Sequence, residues 1–374
     1  MSASEQQQLD WLRLIRSEGI GPATFKRLME FYGDAGRALK ALPDMAKRGG
    51  RKKPITAYAE KDAADEIKAL KKMGGEILLQ CDPRYPKHLT SCDDAPPVLS
   101  VLGDISLLSK QGLGIVGARN ASIAGKKIAA RFADDIGAEG YPIISGLARG
   151  IDTAAHKASL PHGTVAVVAG GIDVVYPEEN KDLYDEIIKY GAIVAESPLG
   201  TPPDRRHFPK RNRIIAGLSH GVMVVEAAKK SGSLITANMA LDYGRDVYAV
   251  PGSPLDPRAA GTNSLIKQQA AQLVTSPQDI LQDLSRLSPL METDDDQGLK
   301  GTPLAMADAA AHYQDKHDAC RADIMDSLSP TPVHVDELIR ETGHPPALIL
   351  AILLELELGE QITRHPGNKV SLNL

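Results

Sequence analysis

The chain has 374 residues, 43% hydrophobic and 24% charged, with a formal net charge of -5, enough length for two or three units that each bury a core. The acidic balance excludes a protein coated in positive charge, so any nucleic-acid contact must come from a local basic patch. No segment approaches the ~20 apolar residues of a membrane span, and residues 1–10 lack a secretory signal's apolar stretch.

The expectation is therefore a cytoplasmic protein with no membrane association. Cys81, Cys92 and Cys320 are too far apart for metal-ligand spacing or a disulfide framework. Reduced structural thiols, no metal and no cofactor are expected.

In chain order, residues 1–80 predict a small helical domain. Leu9 to Leu42 has helical periodicity interrupted by Gly19-Ile20-Gly21-Pro22, and Asp62 to Lys72 is a second amphipathic stretch. The Gly19-Ile20-Gly21 turn, followed by Lys26 and Arg27, is similar to a helix-hairpin-helix turn, in which backbone N–H groups hold one phosphate without reading sequence. An ordinary glycine turn between packing helices fits equally. Lys47, Arg48, Arg51, Lys52 and Lys53 form a positive loop that either touches a nucleic-acid backbone or only keeps the chain soluble.

Residues 81–285 predict an α/β, Rossmann-like, doubly wound and mostly parallel sheet, with small domains on either side. Short apolar runs alternate with helix-like segments. The expected strands are Leu113 to Val116, Pro142 to Ile144, Val165 to Ala169, Ile193 to Ala195, Val222 to Val225, Val247 to Val250 and Gln272 to Val274. Helices are expected at Ile123 to Ile136, Asp152 to Ser159, Lys181 to Lys189, Arg211 to Leu218, Leu234 to Tyr243 and Ser264 to Ala270.

Ligands of such sheets bind beyond the strands' carboxyl ends, and there the sequence repeatedly supplies glycine. Gly117, Ser145-Gly146, Gly170-Gly171, Ser231-Gly232-Ser233 and Pro251-Gly252 follow successive strands, leaving room for a phosphate to approach backbone N–H groups and helix N-termini. Tight strand-to-helix turns need glycine anyway, which is the competing reading. Arg119 and Arg149 lie just beyond two of these turns, where a guanidinium can grip phosphate oxygens; Asp152 is expected to pair with Arg149, either to hold it for a ligand or as an internal ion pair.

The segment Arg205-Arg206-His207-Phe208-Pro209-Lys210-Arg211-Asn212-Arg213 has five permanent positive charges and no carboxylate. Such a row matches phosphates along a strand, and Phe208 offers a stacking face to an unpaired base. The competing readings are a solvated charge run and a loop-anchoring Phe208. The sequence Gly114-Ile115-Val116-Gly117-Ala118-Arg119 lacks a GxGxxG fingerprint, which disfavours dinucleotide binding.

Residues 286–318 have linker composition around Asp294-Asp295-Asp296. Residues 319–374 predict a winged helix: helices over Ala319 to Leu328, Val335 to Thr342 and Pro346 to Leu358, then a hairpin of Gln361 to Arg364 and Lys369 to Leu372. The third helix has no Arg, Lys, Asn or Gln, only apolar residues with Glu355 and Glu357. Carboxylates repel DNA phosphates, so this domain is expected to contact protein or pack on itself rather than enter a major groove.

Together these motifs resemble the DNA processing protein A family (DprA or Smf). The resemblance rests on Gly114-Ile-Val-Gly-Ala-Arg119, Ser145-Gly-Leu-Ala-Arg-Gly-Ile-Asp152 with Ala155-His156, Tyr176-Pro177, Glu196-Ser197, Phe208-Pro-Lys-Arg-Asn-Arg213, Glu226-Ala227, Ser231-Gly-Ser-Leu-Ile-Thr236, Pro251-Gly252 and Gly261-Thr-Asn263. It implies a non-enzymatic, homodimeric single-stranded DNA-binding protein that protects incoming strands in natural transformation and loads a RecA-type recombinase. By the same resemblance Arg119 lines a basic pocket, Arg205 and Phe208 contact the strand, and Lys210, Arg211, Asn212 and Arg213 complete the surface. Ala118 and Gln269 depart from the family pattern.

Two alternatives remain at this point. Nucleotide N-glycosidases of related fold place a glutamate three residues after a Gly-Thr turn, but here Met239 and Leu265 stand at that spacing, and His156, Asp173 and Glu226 are the remaining titratable groups near the rim. A nucleotide sensor needs one compact ligand rather than a row of charges.

Overall fold

The computed structural model describes residues 4–51, 53, 55–291 and 316–373, with 287–291 described by their helical backbone alone; most of the expected linker and Lys52 fall outside this range. By internal contacts the described chain divides into two compact units, one spanning residues 65–291 and the other residues 4–64 together with 316–373.

Four helices lead the chain: α1 (Glu5–Arg16), α2 (Pro22–Tyr32), α3 (Ala35–Arg48) and α4 (Glu60–Lys72), the last containing the division between units. The Ser4 and Asp34 side chains cap α1 and α3 by accepting N–H bonds, and Gly33 ends α2 at φ 70°.

The sheet unit continues with β1 (Glu76–Leu79), α5 (Lys87–Thr90), β2 (Val98–Gly103), β3 (Leu113–Val116), α6 (Ile123–Ala138), β4 (Ile143–Ser145), α7 (Ile151–Ser159), β5 (Thr164–Val167), α8 (Lys181–Tyr190) and β6 (Ala192–Ala195). It closes with α9 (His207–Leu218), β7 (Gly221–Val224), α10 (Gly232–Asp242), β8 (Asp246–Ala249), α11 (Ala260–Lys267), β9 (Gln272–Leu273) and α12 (Pro277–Met291).

Nine strands run in the order β1-β2-β6-β5-β4-β3-β7-β8-β9. The pairs from β6 to β9 are parallel, while β1 pairs with β2 and β2 with β6 antiparallel. All seven expected strands are present within a residue or two of their expected ends. The antiparallel pair β1 and β2 went unforeseen.

Alternate residues of each strand serve opposite cores. Leu113, Ile115, Ile143, Met223 and Tyr248 pack with Phe132, Ala155 and Ile280. Val116, Ile144, Val167, Val194 and Val224 pack on the other face with Ile214, Ile215 and Leu218. With both faces covered, strands β3 to β7 are buried along their whole length. The chain runs outward from β3 through β4 and β5 to β6, then crosses back to place β7 on the other side of β3, so the topological switch point lies between β3 and β7.

The second unit joins α1–α3 to a winged helix of α13 (His317–Ser327), β10 (Val333–His334), α14 (Val335–Thr342), α15 (Pro346–Leu358), β11 (Ile362–His365) and β12 (Lys369–Leu372), its sheet ordered β10-β12-β11. Helix α15 is almost wholly buried. One side closes the winged-helix core with Cys320, Ile324 and Leu338, and its end lies on α3, where Gly49 and Gly359 meet so closely that a Cβ on Gly49 would sit 1.8 Å from the Glu355 carbonyl oxygen. Helix α15 thus packs both within the winged helix and against α3. The positive loop is also engaged: Arg48 bonds Glu355 at 2.6 Å, and Arg51 pairs with Glu18 at 2.7 Å and Glu360 at 3.4 Å.

Candidate nucleic-acid interface

Two adjoining cavities open beyond the carboxyl ends of the parallel strands. The larger, about 630 Å³, lies at the switch point, between Gly117, Ala118 and Arg119 after β3 and Lys230, Ser231, Gly232 and Ser233 at the start of α10. The smaller, about 320 Å³, lies over β4 and β5, lined by Gly146, Arg149, Val168, Gly170, Tyr176 and Pro203 among others. Arg119, Asn120, Ala148, Phe208 and Arg211 line both.

Phe208 is the shared aromatic wall. The Arg119 guanidinium carbon lies 4.6 Å from its ring centroid and that of Arg211 lies 6.0 Å away, cation–π distances. The Tyr176 ring lies 5.9 Å from it, tilted by 50°. Phe208 holds this position because α9 starts earlier than expected. The Asp204 carboxylate accepts the N–H groups of Arg206 and His207 at 2.7 and 3.2 Å, starting the helix at His207, and Pro209 is tolerated in the first turn.

This start converts the expected row of cations into a helix whose successive residues turn by about 100°. Arg205 and Lys210 are exposed and Arg206 is paired with Asp204. Arg211, Asn212 and Arg213 are buried. Arg211 turns into the cavities, donating to the Val167 carbonyl at 2.9 Å, while its Nε is buried without a hydrogen-bond partner. Burial pulls its pKa down to about 10 with the nearby Asp152 opposing, so it stays cationic at neutral pH. Arg213 points elsewhere: it bonds Glu196 at 2.6 Å and the Asp94 carbonyl. Asn212 donates to the Gly232 carbonyl at 3.3 Å and so supports the start of α10. The nine-residue segment is therefore not one continuous phosphate-facing row.

The glycine rim also has another explanation at most positions. The space beside Gly117 is filled by Ile151, and a Cβ on Gly146 would lie 1.6 Å from the Arg211 Nη1, so Gly146 is the gap through which that arginine reaches its carbonyl. Gly170 and Gly252 face Thr201 and Ala259. Gly232 differs, with open space beside it at the larger cavity. The Ser145 hydroxyl is fully buried and donates to the Ile115 carbonyl at 2.6 Å, which turns it away from any ligand.

Asp152 does not hold Arg149, contrary to expectation. Its Oδ2 accepts the N–H groups of Gly146 and Ala148 at 3.1 and 3.3 Å, occupying donors that a phosphate would need. Burial raises its pKa, opposed first by Arg211. Arg149 is exposed and pairs with Glu179 at 2.9 Å. Within this loop Leu147 has φ 54°, a costly conformation for a branched side chain. It is held because Leu147 N–H donates to His156 Nε2 at 3.3 Å and Asn180 donates to its carbonyl at 2.9 Å. Thr164 donates to the Ile143 carbonyl, so His156 must donate from Nδ1 to Thr164, fixing one neutral tautomer. Burial pushes its pKa down to about 3.

The other titratable groups near the rim are also engaged: Glu226 accepts from Ser122 N–H and hydroxyl at 2.9 and 2.5 Å, and Asp173 accepts from Gly200 N–H at 2.8 Å. Among the described residues no cluster of His, Cys, Asp or Glu could hold a metal, and no helix is long and apolar enough to cross a membrane.

Residues 76–285 match the DNA recombination-mediator protein A family over the whole sheet and both cavities. The chain belongs to that family. The flanking regions agree: residues 5–69 match the DprA-like N-terminal HHH domain and residues 307–368 the DprA winged helix domain. Among curated relatives, the DNA processing protein DprA of Bacillus subtilis is 45% identical over 58% of this chain and 74% of its own length. The protein Smf of Synechocystis is 30% identical over 97% and 98%. Among solved structures, DprA of Streptococcus pneumoniae superposes with a TM-score of 0.61 at 37% identity, covering 75% of this chain and 98% of that one. A Helicobacter pylori DprA structure described for its single-stranded DNA binding mode superposes at 0.53, 28% identical, covering 57% and 96%.

Membership and fold accord with the resemblance legible in the motifs. The sequence reading missed Tyr176, Lys230 and Asn120 as cavity residues, while Ser231, Gly232 and Ser233, which it placed on the glycine rim, do line the larger cavity. The only signal for the missed residues was Tyr176-Pro177 as a family motif; which loops converge depends on the sheet order.

Proposed function

We propose that the sheet unit binds single-stranded DNA, seating one base against Phe208 and gripping the adjoining phosphates with cations. The observation that carries this reading is Phe208 itself, an aromatic wall between two cavities with Arg119 and Arg211 over its ring. A base stacks on an aromatic face whatever its identity, so binding is weakly sequence-dependent. Arg119 and Arg205 are exposed at the rim, and Lys210 and Lys230 add charge without burial. Gly117 and Gly146 line the cavities, Ser145 stays buried with its hydroxyl on the Ile115 carbonyl, Arg149 lines the smaller cavity, and Asn212 sets the α10 N-terminus.

The likeness to the Helicobacter pylori protein described for single-stranded DNA binding supports the same ligand. Family membership extends the proposal to DNA processing during natural transformation in the cytoplasm, by a homodimer that protects incoming strands and passes them to a RecA-type recombinase. The reading needs no cofactor and no catalysis. His156, Asp173 and Glu226 are each committed to structural hydrogen bonds, which leaves no free base at the rim among them.

The test is fluorescence anisotropy of the full chain with labelled oligothymidylate at two salt concentrations, with duplex and thymidine monophosphate as competitors. Salt-sensitive binding that duplex displaces poorly is expected. Absence of strand binding together with protection by the mononucleotide would overturn it in favour of a compact-ligand site.

A further inference from the structure

Helix α2 begins after the Gly19-Ile20-Gly21 turn, with Gly21 at its N-cap offering no side-chain acceptor. Thr24 lies in the first turn and Arg27 one turn later. Both hold a single anionic oxygen: the Thr24 hydroxyl donates to Glu357 Oε1 at 3.0 Å, and Arg27 Nη2 pairs with the same atom. The Arg27 Nε is buried without a hydrogen-bond partner. A hydroxyl and a guanidinium at the positive end of a helix are the donors that hold a phosphodiester oxygen. Here the occupant is a carboxylate from α15.

The carboxylates of α15 are also paired on their own side. Glu357 Oε2 accepts from Arg364 at 3.0 Å, and Glu355 Oε2 meets His317 at 2.8 Å while its other oxygen meets Arg48. Separating α15 from α2 and α3 would leave Glu357 with Arg364 and Glu355 with His317, so neither acid is stranded. It would free Thr24, Arg27 and Arg48 together.

We infer that Thr24 and Arg27 form a phosphate site for a DNA backbone that the chain masks with Glu357, so that docking of the winged helix and DNA contact by α2 exclude each other. The inference does not rest on the single-strand site of the sheet unit. The acidic third helix of the winged helix is then a plug rather than a groove reader.

The experiment measures anisotropy of a labelled duplex oligonucleotide with the full chain and two variants that loosen the contact differently. Glu357→Gln weakens the ionic hold, and Gly49→Leu places a side chain where even a Cβ would meet the Glu355 carbonyl. Duplex affinity should rise about tenfold in each, the lower end for one charge-assisted contact. Its log-log salt slope should steepen by about one. Adding Arg27→Ala should remove the gain, with oligothymidylate affinity unchanged throughout. Unchanged duplex binding in both variants, or a gain that survives Arg27→Ala, would overturn the inference.

Discussion

Arg211 and Arg213 stand two residues apart in one basic segment, and the structure gives them different surroundings. The Arg213 side chain is 9% exposed and bonds Glu196 at 2.6 Å, with Glu196 itself 20% exposed. Replacing Arg213 with Ala leaves that carboxylate in a largely buried place without its guanidinium. Breaking a buried pair from one side costs about 3–5 kcal/mol, and the partial exposure of Glu196 places the cost near the lower end. At about 2–4 °C per kcal/mol for a unit of this size, the melting temperature should fall by about 6–12 °C. The salt slope for oligothymidylate should not move, since the Arg213 guanidinium is turned to Glu196 and the Asp94 carbonyl and lines neither cavity. Arg211→Ala should instead weaken strand binding and flatten the slope by about 0.7. Calorimetry and salt-titrated anisotropy on both variants decide it: an Arg213→Ala protein with unchanged melting and a flattened slope would refute the reasoning.

Phe208→Ala should cost about 1–3 kcal/mol of strand affinity if a base stacks there, read by anisotropy below the melting temperature; a loss under twofold would leave Phe208 as a loop anchor. Gly146→Ala should lower both stability, by about 1–3 kcal/mol, and strand affinity, because its Cβ would strike Arg211; wild-type behaviour would show that Arg211 does not need that passage. Stability should also fall with acid. Burial holds His88 and His156 neutral with pKa pushed down to about 3, and His220 to about 4. Between pH ~6.5 and those values the unfolded chain binds protons that the folded chain refuses, at up to about 1.4 kcal/mol per pH unit for each group. Stability is full above pH ~6.5 and falls as pH drops through that window; a flat melting temperature from pH 7 to 5 would contradict it.

Much of this protein is written locally. Strand runs such as Leu113–Val116 and the helix over Pro346–Leu358 are legible because burial on both faces makes a continuous apolar run, and helix ends follow from capping residues and proline. The negative charge of Glu355 and Glu357 was legible in the same way, since charge sign needs no coordinates, and it grounded the expectation that this helix does not enter a DNA groove. It could not determine the direction of a side chain within a helix whose start was uncertain by four residues. That offset decided whether Arg211 and Arg213 formed a row or diverged. Pairings over long separations were likewise beyond reach: Arg211 through the gap at Gly146, Arg149 with Glu179 rather than Asp152, and Glu357 on α2. Each depends on which loops the sheet order and packing bring together, and that is a property of the assembled chain rather than of any segment.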